Sequence, residues 1–371
     1  MAVMTSNVIA PAATLRAGFV GGGFMAAVHS RGARAAGAGL AGAASSSPSS
    51  ARSAADRLGL GTPFDSVESL IADPDIDVVH ICTPNTTHAS IARAALEAGK
   101  HVICENPLAT SSADATALVD LAAERGLVAA VPFVYRFHPM AREARARVAR
   151  AETGRLLSVH GAYLQDWLSG QHDDDWRVDV SLGGPSRAFA DIGSHLVDLV
   201  EFISGDRIVR LNASTRTVYE QRATNVDIAT EDLVAVVVEL ASGAVGTLLV
   251  SQVAPGHKNG LSVELSGADA SIRFEQENPE RLWIGRTDAS TIVERDPARL
   301  SPDAARFALV PAGHPMGYQD AFNAFIADAY AAIGGASPDG LPRFDDGLRA
   351  VRLTEAVLAS AASGTWQEVV S

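Results

Sequence analysis

Short apolar runs alternate with longer amphipathic stretches through the first third of the chain. The apolar runs predict strands at 15–20, 39–44, 76–82, 101–104 and 127–133. The stretches between them predict helices at 24–36, up to Leu58, at 91–98 and at 112–125. Strands that alternate with helices of this length indicate βαβ units around a parallel sheet. We therefore expect an α/β domain over 15–134.

The pattern changes after Arg136, where longer runs alternate apolar and polar residues. These runs predict strands at 156–164, 208–218, 233–240, 244–252, 261–266 and 271–274. Helices are predicted at 140–151, 188–204, 318–333 and 345–362. Alternation of this kind is typical of an open, mainly antiparallel sheet with one buried face. We expect an α+β domain over 135–344, a C-terminal helix over 345–371 that packs back on the first domain, and a flexible extension at 1–14.

Composition and charge narrow the classes of function. The chain has 371 residues, 47% of them hydrophobic, which is enough for two domains with large cores. Its net charge of −13 argues against nucleic acid or an anionic membrane as a partner. No uncharged apolar run reaches the length of a transmembrane helix. The two cysteines, Cys82 and Cys104, lie in predicted strands and favour reduced thiols in the cytoplasm, with a disulfide as the alternative.

A glycine-rich segment joins the first predicted strand to the first predicted helix. Gly21, Gly23 and Ala26 fit the pattern G-x-G-x-x-A, with Phe24 and Met25 opening the helix. Glycines allow the tight turn and the close approach of a pyrophosphate, which then lies at the helix N-terminus. We expect Gly21 to Met25 to bind a nicotinamide dinucleotide. The alternative is a glycine-rich turn in an unrelated α/β protein.

The second predicted strand ends in serines rather than in an acidic residue. Ser45 and Ser46 stand where a ribose-binding Asp or Glu is usual, and Arg52 is the nearest charge in the sequence. Serine can donate to or accept from either form of the cofactor. The cofactor is therefore predicted to be NAD or NADP. NAD is slightly favoured because no arginine directly follows the strand.

Four further segments resemble the glucose–fructose oxidoreductase/inositol dehydrogenase (Gfo/Idh/MocA) family. They are Thr-Pro-Asn-Thr-Thr-His at 83–88, Ala-Gly-Lys-His-Val at 98–102, Tyr-Arg-Phe-His-Pro at 135–139 and Asp-Ile-Gly-Ser-His at 191–195. The resemblance runs from about residue 15 to 362. It implies a Rossmann domain followed by a domain whose open sheet forms a homo-oligomer, a dimer or a tetramer. The substrate, a sugar, glycoside or cyclic polyol, is expected between the domains.

The resemblance also implies roles for individual residues. On the cofactor side it points to Thr83, Pro84, Asn85, His88, Glu105 and Asn106. On the substrate side it points to Tyr135, Arg136, Trp176, Arg177, Asp191 and His195. Histidine titrates near pH 6.5, which suits His195 to exchange a proton with an alcohol, with Asp191 as its partner one helical turn earlier. Rings and ionic groups such as Trp176 and Arg177 suit a sugar, although a surface loop with a buried tryptophan is equally consistent.

One position departs from the family. The family's Glu-Lys-Pro is Glu105-Asn106-Pro107 here, and an asparagine amide can orient a hydroxyl but cannot exchange a proton with it. The chain has only two lysines: Lys100, expected to face away, and Lys258, expected at the end of a second-domain strand from which it could reach the cleft. The resemblance predicts a cis peptide bond before Pro107.

These features lead to one preferred hypothesis and two rivals. The first is an NAD(P)-dependent oxidoreductase acting on the CH–OH group of a carbohydrate or polyol, with His195, Asp191 and Asn106 as its catalytic groups. The second is a dinucleotide-binding pseudoenzyme or sensor without turnover. The third is a dehydrogenase of a non-sugar substrate, such as an amino acid or a bile pigment. No metal site is predicted, because His172, His257 and His314 lack ligand spacing.

Overall fold

The first sheet is parallel and buried on both faces. In the computed structural model, which describes residues 14–370, its six strands lie in the order β3-β2-β1-β4-β5-β6. The strands are β1 Arg16–Val20, β2 Gly39–Ala44, β3 Thr62–Pro63, β4 Val78–Ile81, β5 His101–Cys104 and β6 Ala129–Ala130. Every residue of β4 is buried, as expected for a parallel strand covered by helices on both sides.

Helices connect these strands, and some of them begin and end at capping residues. They are α1 Phe24–Ala35, α2 Pro48–Leu58, α3 Val67–Ile71, α4 His88–Glu97 and α5 Ser112–Arg125. The Ser47 and Ser111 hydroxyls accept hydrogen bonds from backbone N–H groups in the first turns of α2 and α5. Gly59 and Gly126 end the same two helices in the left-handed conformation.

The second sheet is mixed and has one solvent-facing side. Within the described residues its nine strands lie in the order β14-β13-β12-β11-β7-β10-β9-β8-β15, antiparallel except for the pair β7 and β10. They are β7 Leu156–Leu164, β8 Ile208–Arg216, β9 Leu233–Leu240, β10 Val245–Ser251, β11 Gly260–Gly267, β12 Ser271–Glu275, β13 Arg281–Gly285, β14 Ser290–Glu294 and β15 Gln367–Glu368. Burial alternates along β9 and β10, as expected for a sheet with one solvent-facing side. The parallel first sheet and the mainly antiparallel second sheet together confirm the predicted fold class.

Two helices, α6 Pro139–Ala149 and α8 Ser194–Ser204, pack on the buried face of the second sheet. The shorter helix α7, Val180–Gly183, lies against the turn after β4, and α9, Pro302–Ala305, lies against α6. The helix predicted over 188–204 does not begin as an α-helix: Phe189–Gly193 forms one turn of π-helix, and α8 follows it. Such turns often occur at functional sites because they redirect side chains.

Two C-terminal helices return to the first domain. Helix α10, Tyr318–Ile333, packs on α1 and places Phe322 and Phe325 in one core with Phe19 of β1. The predicted second domain, 135–344, included this helix, but its apolar face is covered by the first domain. Helix α11, Phe344–Ser363, lies against both α5 and β8.

The strands of the structure differ from the prediction at the end of the first sheet and at the edge of the second. The run at 127–133 keeps only Ala129–Ala130 in the sheet, because the Val131 N–H binds the Pro342 carbonyl and Pro132 has no N–H. Strands β13 and β14 were not predicted. The side chains of β14 are mostly exposed, so this edge strand shows no apolar alternation.

Some sequence-level expectations concern features outside these layers. Residues 1–13 of the predicted extension lie outside the described residues. No helix within 14–370 is both long and apolar enough to cross a membrane. Cys82 and Cys104 are free thiols rather than a disulfide.

Lys100 provides a test of how the first domain is held together. Its buried ammonium donates to the backbone carbonyls of Asp73 and Ile76, both at 2.7 Å. Lys100→Met leaves these carbonyls without their donor, so we expect a loss of about 1–3 kcal/mol in the free energy of unfolding. Urea denaturation measures this loss. Lys258→Met is the matched control because the Lys258 side chain is 77% exposed, and equal destabilisation by both variants would contradict the prediction.

Candidate active site

A cavity of about 1140 Å³ lies between the two domains, at the carboxyl ends of the parallel strands. Residues that follow β1, β4 and β5 form one wall, and residues of the second domain form the other. In open α/β sheets this edge is the usual ligand site. The cavity is lined by most of the predicted site residues: Gly21, Gly23, Phe24, Met25, Ser45, Ser46, Thr83, Pro84, Asn85, His88, Glu105, Asn106, Tyr135, Trp176, Arg177, Asp191 and His195.

The glycine loop fits a dinucleotide pyrophosphate. Gly21 has φ +103°, and a Cβ there would lie 2.3 Å from the Cys82 carbonyl oxygen. A Cβ at Gly23 would meet nothing within 4 Å, which leaves open space beside the loop. No side chain caps the N-terminus of α1, so the first-turn N–H groups are available to an anion.

A second cavity of about 440 Å³ adjoins the glycine loop and the end of β2. Its lining is rich in hydroxyl groups: Ser45, Ser49, Ser50 and Ser53. Arg57, near the end of α2, also lines it and donates to the Gly22 carbonyl. The slight preference for NAD in the sequence analysis depends on the lack of an arginine directly after β2. Sequence spacing did not reveal that α2 brings Arg57 back to this place.

The turn after β4 is fixed by internal hydrogen bonds. The Thr87 hydroxyl donates to the Thr83 hydroxyl at 2.7 Å. The His88 ring bridges the Pro107 carbonyl, 2.7 Å from Nδ1, and the Thr83 carbonyl, 2.8 Å from Nε2. Asn85 donates to the Gly183 carbonyl of the second domain at 2.9 Å. Thus His88 and Asn85 shape the wall that Thr83 and Pro84 present to the cavity.

Asn106 joins the two domains through its amide. The peptide bond before Pro107 is cis, as predicted. The Asn106 Nδ2 atom donates to the carbonyls of Ala190 at 3.0 Å and Asp191 at 3.1 Å, and to the Ser194 hydroxyl at 2.8 Å. Its Oδ1 atom is buried with no hydrogen-bond partner among the described residues. Asn106 is therefore a donor to the π-turn, and its carbonyl oxygen is a buried acceptor without a partner among the described residues.

His195 lies at the other side of the cavity with an unpaired ring nitrogen. Its ring meets the edges of Phe133 and Tyr135 at centroid distances of 5.5 and 5.3 Å. Nδ1 is buried and has no partner among residues 14–370. Burial lowers the pKa of His195, and the negative charges of Glu105 and Asp191 act in the opposite direction. The imidazole is therefore neutral at pH 7 and can accept a proton.

Asp191 is held by two side chains of the second domain. Its Oδ1 accepts from Arg177 Nε at 3.3 Å, and its Oδ2 accepts from Gln252 Nε2 at 2.7 Å. The predicted partnership with His195 is electrostatic rather than a hydrogen bond, since the described bonds of this carboxylate go to Arg177 and Gln252. Gln252 was not predicted, because an amide after a strand carries no distinctive sequence signal.

The loop with Trp176 and Arg177 forms an aromatic and cationic rim. The Arg177 guanidinium stacks 4.5 Å from the Trp176 ring and pairs with Asp175 at 3.1 Å. Burial opposes the charge of Arg177, but the charges of Asp191 and Asp175 prevail and raise its pKa. Arg177 thus contacts both the Trp176 ring and the Asp191 carboxylate.

Arg136, a predicted substrate residue, does not line this cavity. Its buried guanidinium pairs with Asp198 of α8 and, at 2.7 Å, with Asp346 of α11. These carboxylates come from distant parts of the chain, so the motif around Tyr135 could not reveal them. Arg136 links α8 to α11, and only its neighbour Tyr135 lines the cavity.

Further cavity residues carry no motif and were missed. The Tyr135 and Tyr163 hydroxyls lie 2.5 Å apart, and Tyr163 donates to Asn259 Oδ1 at 2.7 Å. Burial raises the pKa of both phenols, so both remain protonated donors at neutral pH. Tyr163 lies on the inward face of β7, a position that alternation alone assigns to the core. Lys258, which the sequence analysis expects near the cleft, does line the cavity, and its ammonium pairs with Asp166 at 2.6 Å.

No group of three or more His, Cys, Asp or Glu side chains within residues 14–370 is arranged to hold a metal ion. His172 and His314 do not line the cavity, and neither does His257.

Two family models match the chain. One, described as an oxidoreductase family with an NAD-binding Rossmann fold, matches residues 15–133. The other, the GFO/IDH/MocA C-terminal domain, matches residues 141–273. The chain belongs to the Gfo/Idh/MocA family of oxidoreductases. Membership confirms the resemblance and the expected enzyme class, an NAD(P)-dependent oxidoreductase that acts on CH–OH groups.

Individual relatives agree with this family over nearly their whole length. Levoglucosan dehydrogenase from Pseudarthrobacter phenanthrenivorans is 32% identical, over 96% of this chain and 98% of its own. A structure of levoglucosan dehydrogenase with NADH and levoglucosan has a TM-score of 0.90 at 32% identity, covering 96% of this chain and 100% of its own. A myo-inositol and NADH complex of an inositol dehydrogenase homologue from Azotobacter vinelandii has a TM-score of 0.85 at 28% identity, covering 96% and 97%.

The glycine loop makes the cofactor site testable. In Gly21→Ala the new Cβ collides with the Cys82 carbonyl and the backbone keeps a positive φ. Relief of this clash moves the loop out of the geometry that receives the pyrophosphate, so we expect NADH and NADPH to bind about tenfold or more weakly. Calorimetric titration measures both affinities. Gly99→Ala, which also has positive φ but open space around its Cβ, should bind as the unmodified protein does.

Proposed function

We propose that this protein transfers a hydride between a nicotinamide dinucleotide and a secondary alcohol or ketone of a sugar, glycoside or cyclic polyol. The observation that carries the proposal is the convergence of three groups on one interdomain cavity: the neutral His195 imidazole, the anchored Asp191 carboxylate and the unpartnered Asn106 carbonyl oxygen. When bound, the nicotinamide supplies the hydride acceptor or donor. The protein supplies proton exchange and orientation.

His195 is the proposed acid–base group. As a neutral imidazole it accepts the hydroxyl proton during oxidation, and as an imidazolium it returns a proton during reduction. The Asp191 charge stabilises the imidazolium. Asp191 stays in place because Arg177 and Gln252 each donate to one of its oxygens.

Asn106 is the proposed orienting group. Its Nδ2 hydrogens are used by the π-turn and Ser194, so the group left for a substrate is the Oδ1 acceptor. A substrate hydroxyl donates to such an oxygen without transferring its proton. Asn106 would therefore place the reacting hydroxyl while His195 takes the proton.

The rim of the cavity supports a carbohydrate or polyol as substrate. Trp176 offers an aromatic face, and Arg177, Tyr163, Gln165 and Asn259 offer hydrogen-bonding groups. Apolar rings with a few converging polar groups suit the C–H faces and hydroxyls of such molecules. The names of the relatives, levoglucosan dehydrogenase and an inositol dehydrogenase homologue, agree with this class.

The proposal extends to cofactor, assembly and location. Either NAD or NADP is expected, with binding along Gly21–Met25 and Ser45–Ser46. A homo-oligomer would form through the open sheet, whose solvent face exposes Val237, Val245 and Leu249. The free thiols agree with a cytoplasmic location.

Absorbance at 340 nm with a panel of glycosides, inositols and their keto forms tests the proposed reaction. We expect His195→Asn to lower kcat/KM by about 10²–10⁴ while NADH still binds. Because the His195 pKa is below its usual 6.5 and the base is active when neutral, kcat/KM for oxidation should stay level at pH 7 and fall only below pH 6.5. Full activity of His195→Asn would remove the residue from the proposed mechanism.

Asn106→Lys distinguishes an adapted site from a disabled one. We expect the longer side chain to displace the π-turn that the amide now holds, so kcat/KM should fall about tenfold or more. Asn106→Ala, which removes the amide without adding length, should fall as well. A rise in Asn106→Lys together with a fall in Asn106→Ala would instead show that the site lacks a proton-transfer group.

A dinucleotide-binding pseudoenzyme or sensor is the second candidate. It is favoured by Asn106 itself, which has no titratable proton beside the reacting position. In that case NADH binds tightly, no member of the substrate panel changes the absorbance, and a sugar still alters NADH fluorescence.

A further inference from the structure

A chain of hydrogen bonds runs from the cavity into the core of the first domain. The Glu105 carboxylate lies 2.6 Å from His29 Nε2, His29 Nδ1 lies 2.9 Å from His80 Nδ1, and His80 Nε2 lies 2.7 Å from the Tyr330 hydroxyl. Both histidines are fully buried, and Tyr330 is 7% exposed. Only Glu105 lines the cavity. The proton-transfer scheme above uses none of the three buried groups.

The need of each buried N–H and O–H group for an acceptor fixes the donor and the acceptor in each of these hydrogen bonds. Burial raises the pKa of Tyr330, so the phenol keeps its proton, and among the described residues its only acceptor is His80 Nε2. Burial lowers the pKa of His80 well below its usual value, so His80 is neutral and carries its single proton on Nδ1. His29 Nδ1 is then an acceptor, and His29 Nε2–H donates to Glu105.

The reverse direction is unfavourable. It would leave the Tyr330 proton buried without an acceptor, which costs free energy. It would also set the Nε2 lone pair of a neutral His29 against the Glu105 carboxylate at 2.6 Å.

We propose that His29, His80 and Tyr330 are positioning residues, a buried donor chain that holds the Glu105 carboxylate in place at the cavity beside Asn106. Because Asn106 is neutral, no cation at that position compensates the Glu105 charge, and this charge acts on His195 across the cavity. By keeping Glu105 in this place, the donor chain offsets part of the decrease in the His195 pKa that burial causes.

Other charged and titratable groups also face Glu105 and bear on this effect. They are His29 on α1, Cys82 after β4, His88 on α4, Cys104 on β5, Arg177, His195 and Tyr318 on α10. Burial keeps the two thiols and Tyr318 protonated by raising their pKa values, and it lowers the pKa of His88. Arg177 keeps its charge. Glu105 and Asp191 are thus the anions that support protonation of His195.

Histidine NMR of the protein without cofactor tests the chain directly. With 15N-histidine labelling, and assignment by single His→Gln variants, we expect the Nδ1–H tautomer for His80 and the Nε2–H tautomer for His29 at pH 7. Glu105→Gln keeps the shape of the side chain and removes its charge, so the His195 titration midpoint should move down by about one pH unit. Tyr330→Phe should change both tautomer signals and move the His195 midpoint in the same direction by less.

Tyr219→Phe is the matched control, since it also removes one phenol hydrogen bond, to the Ser169 carbonyl at 3.0 Å, away from Glu105. The proposal is overturned by an Nε2–H tautomer for His80, by a His195 midpoint unchanged in Glu105→Gln, or by a Tyr330→Phe spectrum that matches Tyr219→Phe. The link to catalysis rests on the proposed function, but these NMR readouts do not. The same downward shift in the pH profile of kcat/KM would extend the result to turnover.

Discussion

The amide of Asn106 is the interaction on which the geometry of the site depends. It leaves the end of β5 in the first domain and donates to two carbonyls of the π-turn in the second. The Ser194 N–H bonds to the Phe189 carbonyl rather than to the Ala190 carbonyl that a regular α-helix would use, and the amide donates to the Ala190 carbonyl. Asp191 lies within this turn, and His195 lies two residues after its end. The residue that departs from the family pattern therefore positions the residues that match it.

Much of the fold follows from local sequence patterns. The parallel strands were predicted as apolar runs because helices cover both of their faces, and the second sheet as alternation because one face meets solvent. The glycine loop was predicted from its backbone freedom, and the structure shows why Gly21 needs it: φ is positive and the Cys82 carbonyl leaves no space for a Cβ. These features depend on neighbours in sequence or on a single element, so a linear pattern contains them.

The features that escaped prediction depend on distant partners. Arg136 lies in a motif that predicted substrate contact, but its guanidinium forms ion pairs with Asp198 and Asp346. Gln252 and Asn259 are single amides whose roles exist only once Asp191 and Tyr163 are beside them. Histidines at 29 and 80 carry no spacing that links them to Glu105 or Tyr330. Side-chain networks of this kind are set by packing, which sequence periodicity does not encode.

Helix α10 has a consequence for how the chain is made. Its aromatic side chains cover α1, whose N-terminus carries the dinucleotide loop, yet the two helices are separated by nearly the whole chain. During synthesis the first domain cannot bury this face of α1 until the C-terminal region has left the ribosome. Contacts of such long range slow folding and leave apolar surface exposed in the meantime. The nucleotide-binding domain thus completes the cover of α1 only after α10 has been made.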